Sequence, residues 1–271
     1  MAAPPRPEDL RATLDALADR YERPAFVADD PVSVPHAFDD PADQETIGLF
    51  AALLAWGRRS TVLAKLADLV DRVDGRPHRF VRDFRTGRDA WRLDGFKHRT
   101  FTSADAVALV VSLRATLEAH GSLGALVAAG AGGPGGAADV GPGIQRLSDT
   151  LLAAVPEVGL RRKHLARPST GSACKRLAMY ARWMTRPGPV DLGVWPGVRP
   201  AQLVVPLDVH TGRQARRLGM LARRSDDWKA VQELTAACRA LDADDPARYD
   251  FALFGLGAYD GREIGDARAG E

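Results

Sequence analysis

An all-α fold is the architecture predicted by the 271-residue sequence. Three observations predict it. Apolar residues recur at helical spacing over most of the chain. Proline, glycine and small capping side chains punctuate those stretches. No run shows the sustained alternation of a strand, and no repeat with a period of about 20–50 residues occurs. Leu203–Val205 reads as a short extended piece at most.

The elements follow in order. Pro7–Tyr21 reads as a helix with Leu10, Leu14, Leu17 and Tyr21 on one face, and a Pro- and Asp-rich loop spans Pro24–Pro41. Asp43–Trp56 is so apolar that burial on more than one face is expected, and Gly57 is placed to end it. Ser60 is a candidate cap for a helix carrying Val62, Leu63, Leu66, Leu69 and Val70. Pro77–Phe84 is a weaker helix, and Trp91–Phe101 a connection that includes His98, Arg99 and Thr100. Ser103 opens a strong helix, and Gly130–Gly143 reads as a flexible surface loop. Helices follow at Ile144–Val155, Ser172–Thr185, Val209–Leu221, Asp226–Leu241 and Asp245–Leu256, with a Pro- and Gly-rich connection over Pro187–Pro206.

Composition bounds the function classes. Hydrophobic residues make up 45% and the net charge is +2, so the total charge does not demand a nucleic-acid partner. Two cysteines, Cys174 and Cys238, exclude a four-cysteine iron–sulfur cluster and argue against a disulfide scaffold. No stretch approaches the about 20 apolar residues of a membrane span, and Met1–Pro7 lacks the apolar core of a signal peptide. A cytoplasmic protein is expected.

Charge distribution is more informative. No Asp or Glu occurs between Val158 and Val190, whereas Arg161, Arg162, Lys163, Arg167, Lys175, Arg176, Arg182 and Arg186 all do. A glycine turn leading into a helix within such a stretch suits a phosphate, because free N–H groups and the helix dipole both favour an anion. A solvated basic face explains the same pattern. Lys175 falls in the first turn of its helix, where a cation opposes the dipole and the neutral, nucleophilic amine is favoured. Arg182, seven residues on, lies on nearly the same face. An exposed surface cation is the ordinary alternative for either residue.

Asp208 sits where an N-cap belongs, ahead of Val209-His210-Thr211-Gly212-Arg213. Capping alone would account for it. The apolar approach through Leu203–Leu207 suggests partial burial, where a carboxylate must be hydrogen-bonded or do chemistry.

Leu207-Asp208-Val209-His210-Thr211-Gly212-Arg213, followed by Arg217-Leu218-Gly219, resembles the V-D-T-H-V-x-R…R-L-G segment of the helix-hairpin-helix DNA glycosylases. Pro168–Leu177 occupies the hairpin position, with Lys175 matching the catalytic lysine. The L-P-G-[VI]-G signature and the C-terminal cysteine cluster of the endonuclease III branch are absent. The wide spacing from Lys175 to Asp208 is similar to the archaeal 8-oxoguanine DNA glycosylase branch. There Arg182 stands in place of a lysine, and Asp250 and Phe254 match a later Asp and Trp. The chain also resembles a bacterial family of uncharacterised conserved proteins over Ala51–Arg59, Lys175–Arg186, Pro206–Leu218 and Asp250–Gly257.

The resemblance implies two helical lobes flanking a DNA cleft within one unit, 1–271: one lobe at 40–130, a basic hairpin lobe at 142–225, terminal helices packed on both, and a flexible loop at 130–143. It implies base-excision repair of duplex DNA: removal of 8-oxoguanine, with AP-lyase activity through a lysine Schiff base and without metal or organic cofactor. Lys175 and Asp208 would be catalytic. Arg182, Asp250, Phe254 and Trp56 would hold the base, and Arg167, Gly171, Ser172, Arg176, His210 and Arg213 the DNA backbone. A monomer, nucleoid-associated when acting, is expected. A non-catalytic DNA-binding module and a glycosylase for another lesion stay open. Trp56 and Phe254 also suit a core, and Asp250 a solvated helix face.

Overall fold

Helices supply all the extended regular structure in the computed structural model, which describes residues 7–133, 135, 136 and 138–258. Among these, pairing of the β type is confined to isolated bridges, His98 with Phe101, Ser172 with Asp227 and Pro187 with Leu192. The chain is therefore all-α.

The first half comprises α1 (Pro7–Tyr21), α2 (Pro24–Val27), α3 (Ser33–His36), α4 (Pro41–Leu54), α5 (Arg59–Arg72), α6 (Pro77–Asp83), α7 (Thr86–Asp89), α8 (Ser103–His120) and α9 (Leu123–Gly130). The second comprises α10 (Gly141–Ala153), α11 (Lys175–Thr185), α12 (Val209–Arg217), α13 (Trp228–Leu241) and α14 (Tyr249–Ala258). α4 is the central element. Asp40 caps it by accepting from Ala42 N at 2.8 Å, Pro41 occupies its first turn, and every residue from Glu45 to Leu54 is buried. It packs against α3, α5, α6 and α11. A reciprocal box between Thr102 and Asp105 starts α8, which packs on α6, α9 and α10. α1 and α12 both pack on α14.

Several boundaries depart from expectation. The Pro24–Pro41 loop contains α2 and α3. α5 begins at Arg59 with Arg58 in the capping position, so Ser60 is already helical and caps nothing. α11 begins at Lys175 rather than Ser172, because Cys174 has φ 51, a left-handed conformation that a helix cannot include. Two single 3-10 turns, Arg162–His164 and Pro168–Thr170, stand ahead of α11 in place of a full first hairpin helix. The expected loop at 130–143 is shorter, because Gly141-Pro142-Gly143 forms the first turn of α10. Its small residues serve contact: a Cβ at Gly143 would meet the Val127 carbonyl oxygen at 2.5 Å. The remainder is tied down in part by Val140 N donating to the Gln202 carbonyl at 2.7 Å.

No helix among the described residues is long and apolar enough to cross a membrane. Met1–Pro7, read above for signal-peptide character, lies almost wholly outside them.

A buried ionic cluster joins distant parts of the chain. Arg186, which caps the C-terminus of α11 and is 4% exposed, donates to Glu22 at 2.8 Å, Asp191 at 2.6 Å and Asp245 at 2.7 Å. Burial disfavours its charge, but the hydrogen bonds to Asp245 and Glu22 outweigh that and hold it protonated. Removing one member of such a cluster strands buried charge of the opposite sign. Arg186→Ala is expected to lower unfolding stability by about 3 kcal/mol, seen as a lower urea midpoint at constant slope. An unshifted midpoint would mean that these acids do not need their cation.

Candidate functional site

One carboxylate links the N-termini of α11 and α12. Asp208 precedes α12 in extended conformation, and its Oδ1 accepts from His210 N and Thr211 N, both at 2.9 Å. That leaves Oδ2, which lies 3.1 Å from the Nζ of Lys175, the first residue of α11. The N-cap and ion-pair roles therefore coexist on separate oxygens of one side chain. Burial raises the Asp208 pKa, but the Lys175 charge and the Thr211 N–H outweigh it, so the carboxyl is held below its ordinary value.

The pair opens onto a pocket of about 180 Å³ that also carries Asp30, Trp56, Met179, Arg182, Asp250 and Phe254. All six candidates for catalysis and base binding thus converge. Phe254 is half-buried and stands edge-on to Phe26 at 6.1 Å. Arg182 is 5% exposed, and its guanidinium donates to Asp250 at 2.5 Å and Asp191 at 3.3 Å. It also lies 4.2 Å from the Phe251 ring centroid. Arg182 therefore fixes Asp250 instead of offering an unpaired cation to a ligand. Asp250 is buried, not a solvated helix-face acid. Burial is the main cause of its pKa rising to about 6; Arg182 opposes the rise and Asp208 adds to it.

The backbone candidates divide. Arg213 and His210 are exposed on α12 beside Asp208. Ser172 and Arg176 line a second cavity that shares Lys175 and Trp56 with the first. Arg176 is largely committed, since its Nη1 donates to the Leu53 carbonyl at 2.5 Å and so fastens α11 to the end of α4. Arg167 faces Asp149 at 3.4 Å. The Gly171 N–H is spent on Pro168 O at 2.9 Å and its carbonyl on Trp228 N at 3.0 Å. An anion at α11 would meet the helix's own N-terminus instead, where no side chain caps.

Sequence reasoning missed Asp30. Its Oδ1 accepts from Val32 N at 3.1 Å and burial raises its pKa, with Arg182 and Arg59 among the groups opposing the rise. It lay in a loop where several aspartates looked alike, and only the turn into α3 brings this one to the pocket. Among the described residues no cluster of His, Cys, Asp or Glu could hold a metal ion. Cys174 and Cys238 are free and buried, and burial pushes the Cys174 thiol up to about 12, so it is no nucleophile.

The arrangement is an amine with an adjacent, firmly ionised carboxylate at the mouth of an aromatic pocket. Such an amine suits attack on an electrophilic carbon, and such a carboxylate suits stabilising positive charge beside it. The two oxygens of Asp208 can be separated by substitution. Asp208→Asn keeps an acceptor for the α12 amides and is expected to lose only the stability of a one-third-exposed ion pair, about 1 kcal/mol or less. Asp208→Ala removes the cap as well, at a further cost of about 1 kcal/mol. Equal melting temperatures for the two variants would contradict the capping role.

No curated protein and no solved structure matches the chain. A family model described as "Protein of unknown function (DUF2400)" matches residues 30–259, most of the chain, which therefore belongs to that family.

Proposed function

We propose that this protein is a DNA base-excision glycosylase with AP-lyase activity, acting on duplex DNA that carries an oxidised purine, 8-oxoguanine foremost. The observation that carries the reading is the 3.1 Å approach of Lys175 Nζ to Asp208 Oδ2 at the mouth of a pocket walled by Trp56 and Phe254. The order and local sequence of the two residues, which resemble those of the helix-hairpin-helix glycosylases, support it further. That superfamily's two-lobed fold around a DNA cleft is part of the same proposal.

The target nucleotide leaves the stack and its base enters the pocket. The Lys175 ammonium first gives up a proton to water, and Nζ as the free amine then attacks C1′. The bond from C1′ to the base nitrogen breaks, and its electron pair leaves with the base, which takes up a proton. Opening of the sugar ring and loss of the second amine proton give the Schiff base. Removal of a C2′ proton then expels the 3′ phosphate. The Asp208 carboxylate, ionised throughout the neutral range, stabilises positive charge developing on the sugar. Its depressed pKa makes it an electrostatic partner more than a strong base. Asp250 accepts from the N–H edge of the base while Trp56 and Phe254 stack on its faces.

Borohydride trapping on an 8-oxoguanine duplex tests this directly. A covalent adduct is expected with the wild type and none with Lys175→Gln. Asp208→Asn should slow base release by about 100-fold or more. DNA binding without adduct or base release on any lesion would eliminate the enzyme and leave a non-catalytic DNA-binding protein. Release of a different damaged base would reassign the substrate.

A pH profile tests the pocket. Asp250 accepts on both oxygens as a carboxylate, and protonation turns one of them into a donor, so it loses acceptor capacity as pH falls through about 6. Base release should decline below that point in the wild type. Asp250→Asn should be about 10- to 100-fold slower, with a flatter profile between pH 5 and 7. A wild-type-like profile in that variant would remove Asp250 from base recognition.

A further inference from the structure

Trp56 lies beyond the regular helix, with its own N–H donating to the Leu54 carbonyl at 2.7 Å. α4 ends at Leu54, and the chain turns out through Ala55, Trp56 and Gly57. Two neighbouring residues, His98 and Arg99, grip it. His98 is 2% exposed, its Nε2 lies 2.9 Å from the Trp56 carbonyl, and its ring stands edge-on to the indole at 5.5 Å. The Arg99 guanidinium sits over the same indole, 5.1 Å from the ring centroid. Trp56 lines the pocket, whereas His98 and Arg99 do not.

The grip is built at some conformational cost. His98 and Phe101 exchange backbone hydrogen bonds at 2.8 and 2.9 Å, closing a two-residue turn in which Arg99 has φ 53. An arginine in the left-handed region costs about 1 kcal/mol relative to the ordinary one. Gly57 supplies the complementary notch: it has φ 106, and a Cβ there would stand 2.7 Å from Arg99 Nη1. The turn is anchored from behind, because the Thr100 carbonyl accepts from Arg161 Nη2 at 3.0 Å and Lys163 Nζ at 3.4 Å. Asp105, ion-paired to Arg161, secures that cation to the start of α8.

We propose that His98 and Arg99 are positioning residues that hold the Trp56 indole as a stacking wall for the extruded base, with Arg99 setting the plane of the ring. The proposal rests on reading the pocket as a base receptor. It explains why a strained, cationic turn outside the pocket faces a tryptophan that lines it. A cation over one face holds an indole in place while leaving its opposite face for a stacking ligand. Precision at the wall matters because a stacking surface contributes only when parallel to the base.

Arg99→Gly is the informative variant, since glycine adopts positive φ freely and the turn survives without the guanidinium. On an 8-oxoguanine duplex it should release base about tenfold more slowly than the wild type. On the same duplex carrying an abasic site, where no base needs stacking, borohydride trapping should stay within about twofold of wild type by the same reasoning. Arg99→Lys should recover most of the loss. A separate arm reads the ring itself: among the five indole N–H signals in a ¹⁵N–¹H spectrum, the one absent from Trp56→Phe should shift or broaden in Arg99→Gly and stay near its place in Arg99→Lys. An unmoved indole signal in Arg99→Gly, or equal losses on the two duplexes, overturns the proposal. A wild type that traps neither duplex refutes the glycosylase reading instead, and the indole signal still decides whether Arg99 holds the ring.

Discussion

Two cations of α11 and a third at its C-cap need acids that their own stretch of chain lacks. Lys175, Arg182 and Arg186 fall at intervals of seven and four residues and so share one helical face. Each is met from elsewhere: Lys175 by Asp208, Arg182 by Asp191 and Asp250, Arg186 by Glu22, Asp191 and Asp245. Buried cations are tolerable only with such partners. The need to pair them draws the end of α1, the start of α12 and the start of α14 onto α11. The pocket is the space that α11, α12 and α14 enclose with Phe26, Asp30, Trp56 and Arg59. Its mouth is at the least buried of the three pairs, where the lysine is one-third exposed.

Burial separates the pocket's three carboxyls by their neighbours. Asp208 has a lysine and two backbone N–H groups on it and is held low. Asp250 has Arg182 but also feels Asp208 and Asp191, and it rises. Asp30 receives one backbone N–H, which with the nearby cations does not offset its burial, and it rises as well. The neighbours thus set like groups to different roles: one firmly held anion at the amine, and two carboxyls whose pKa burial raises inside the pocket. A single shared acidity would serve neither role.

Much of this was readable from residue order. The periodicity around α1, α4, α8 and α13 marked those helices because each buries a continuous face or more. Lys175 and Asp208 could be singled out because both stand at helix starts. Other features had no local signal. Ser60 looked like a cap, but Gly57 turns the chain so that α5 starts one residue before it. Gly141-Pro142-Gly143 had the composition of a loop, yet α9 packs against α10 so closely that only small residues fit. Asp30 is one of several aspartates in its loop, and tertiary folding alone distinguishes it. His98 and Arg99 were conspicuous as residues, but the partner that explains them is 42 residues away from His98.

The acid-free stretch itself changes meaning once its partners are known. Read as sequence, it is a basic surface awaiting phosphate. In the folded chain Arg161 pairs with Asp105, Arg167 with Asp149, Arg176 with a backbone carbonyl, and Arg182 and Arg186 with buried acids. Few of those charges remain to neutralise a polyanion, so a DNA complex could not rest on counterion release from this segment alone. The exposed side chains beside the lysine–aspartate pair, His210 and Arg213 on α12, together with the uncapped N-terminus of α11, are the better-placed contacts. They lie on the two helix starts that Lys175 and Asp208 bring together. Under the proposed function, binding concentrated there would position one nucleotide over Lys175 while gripping little of the duplex beyond it, as base extrusion requires.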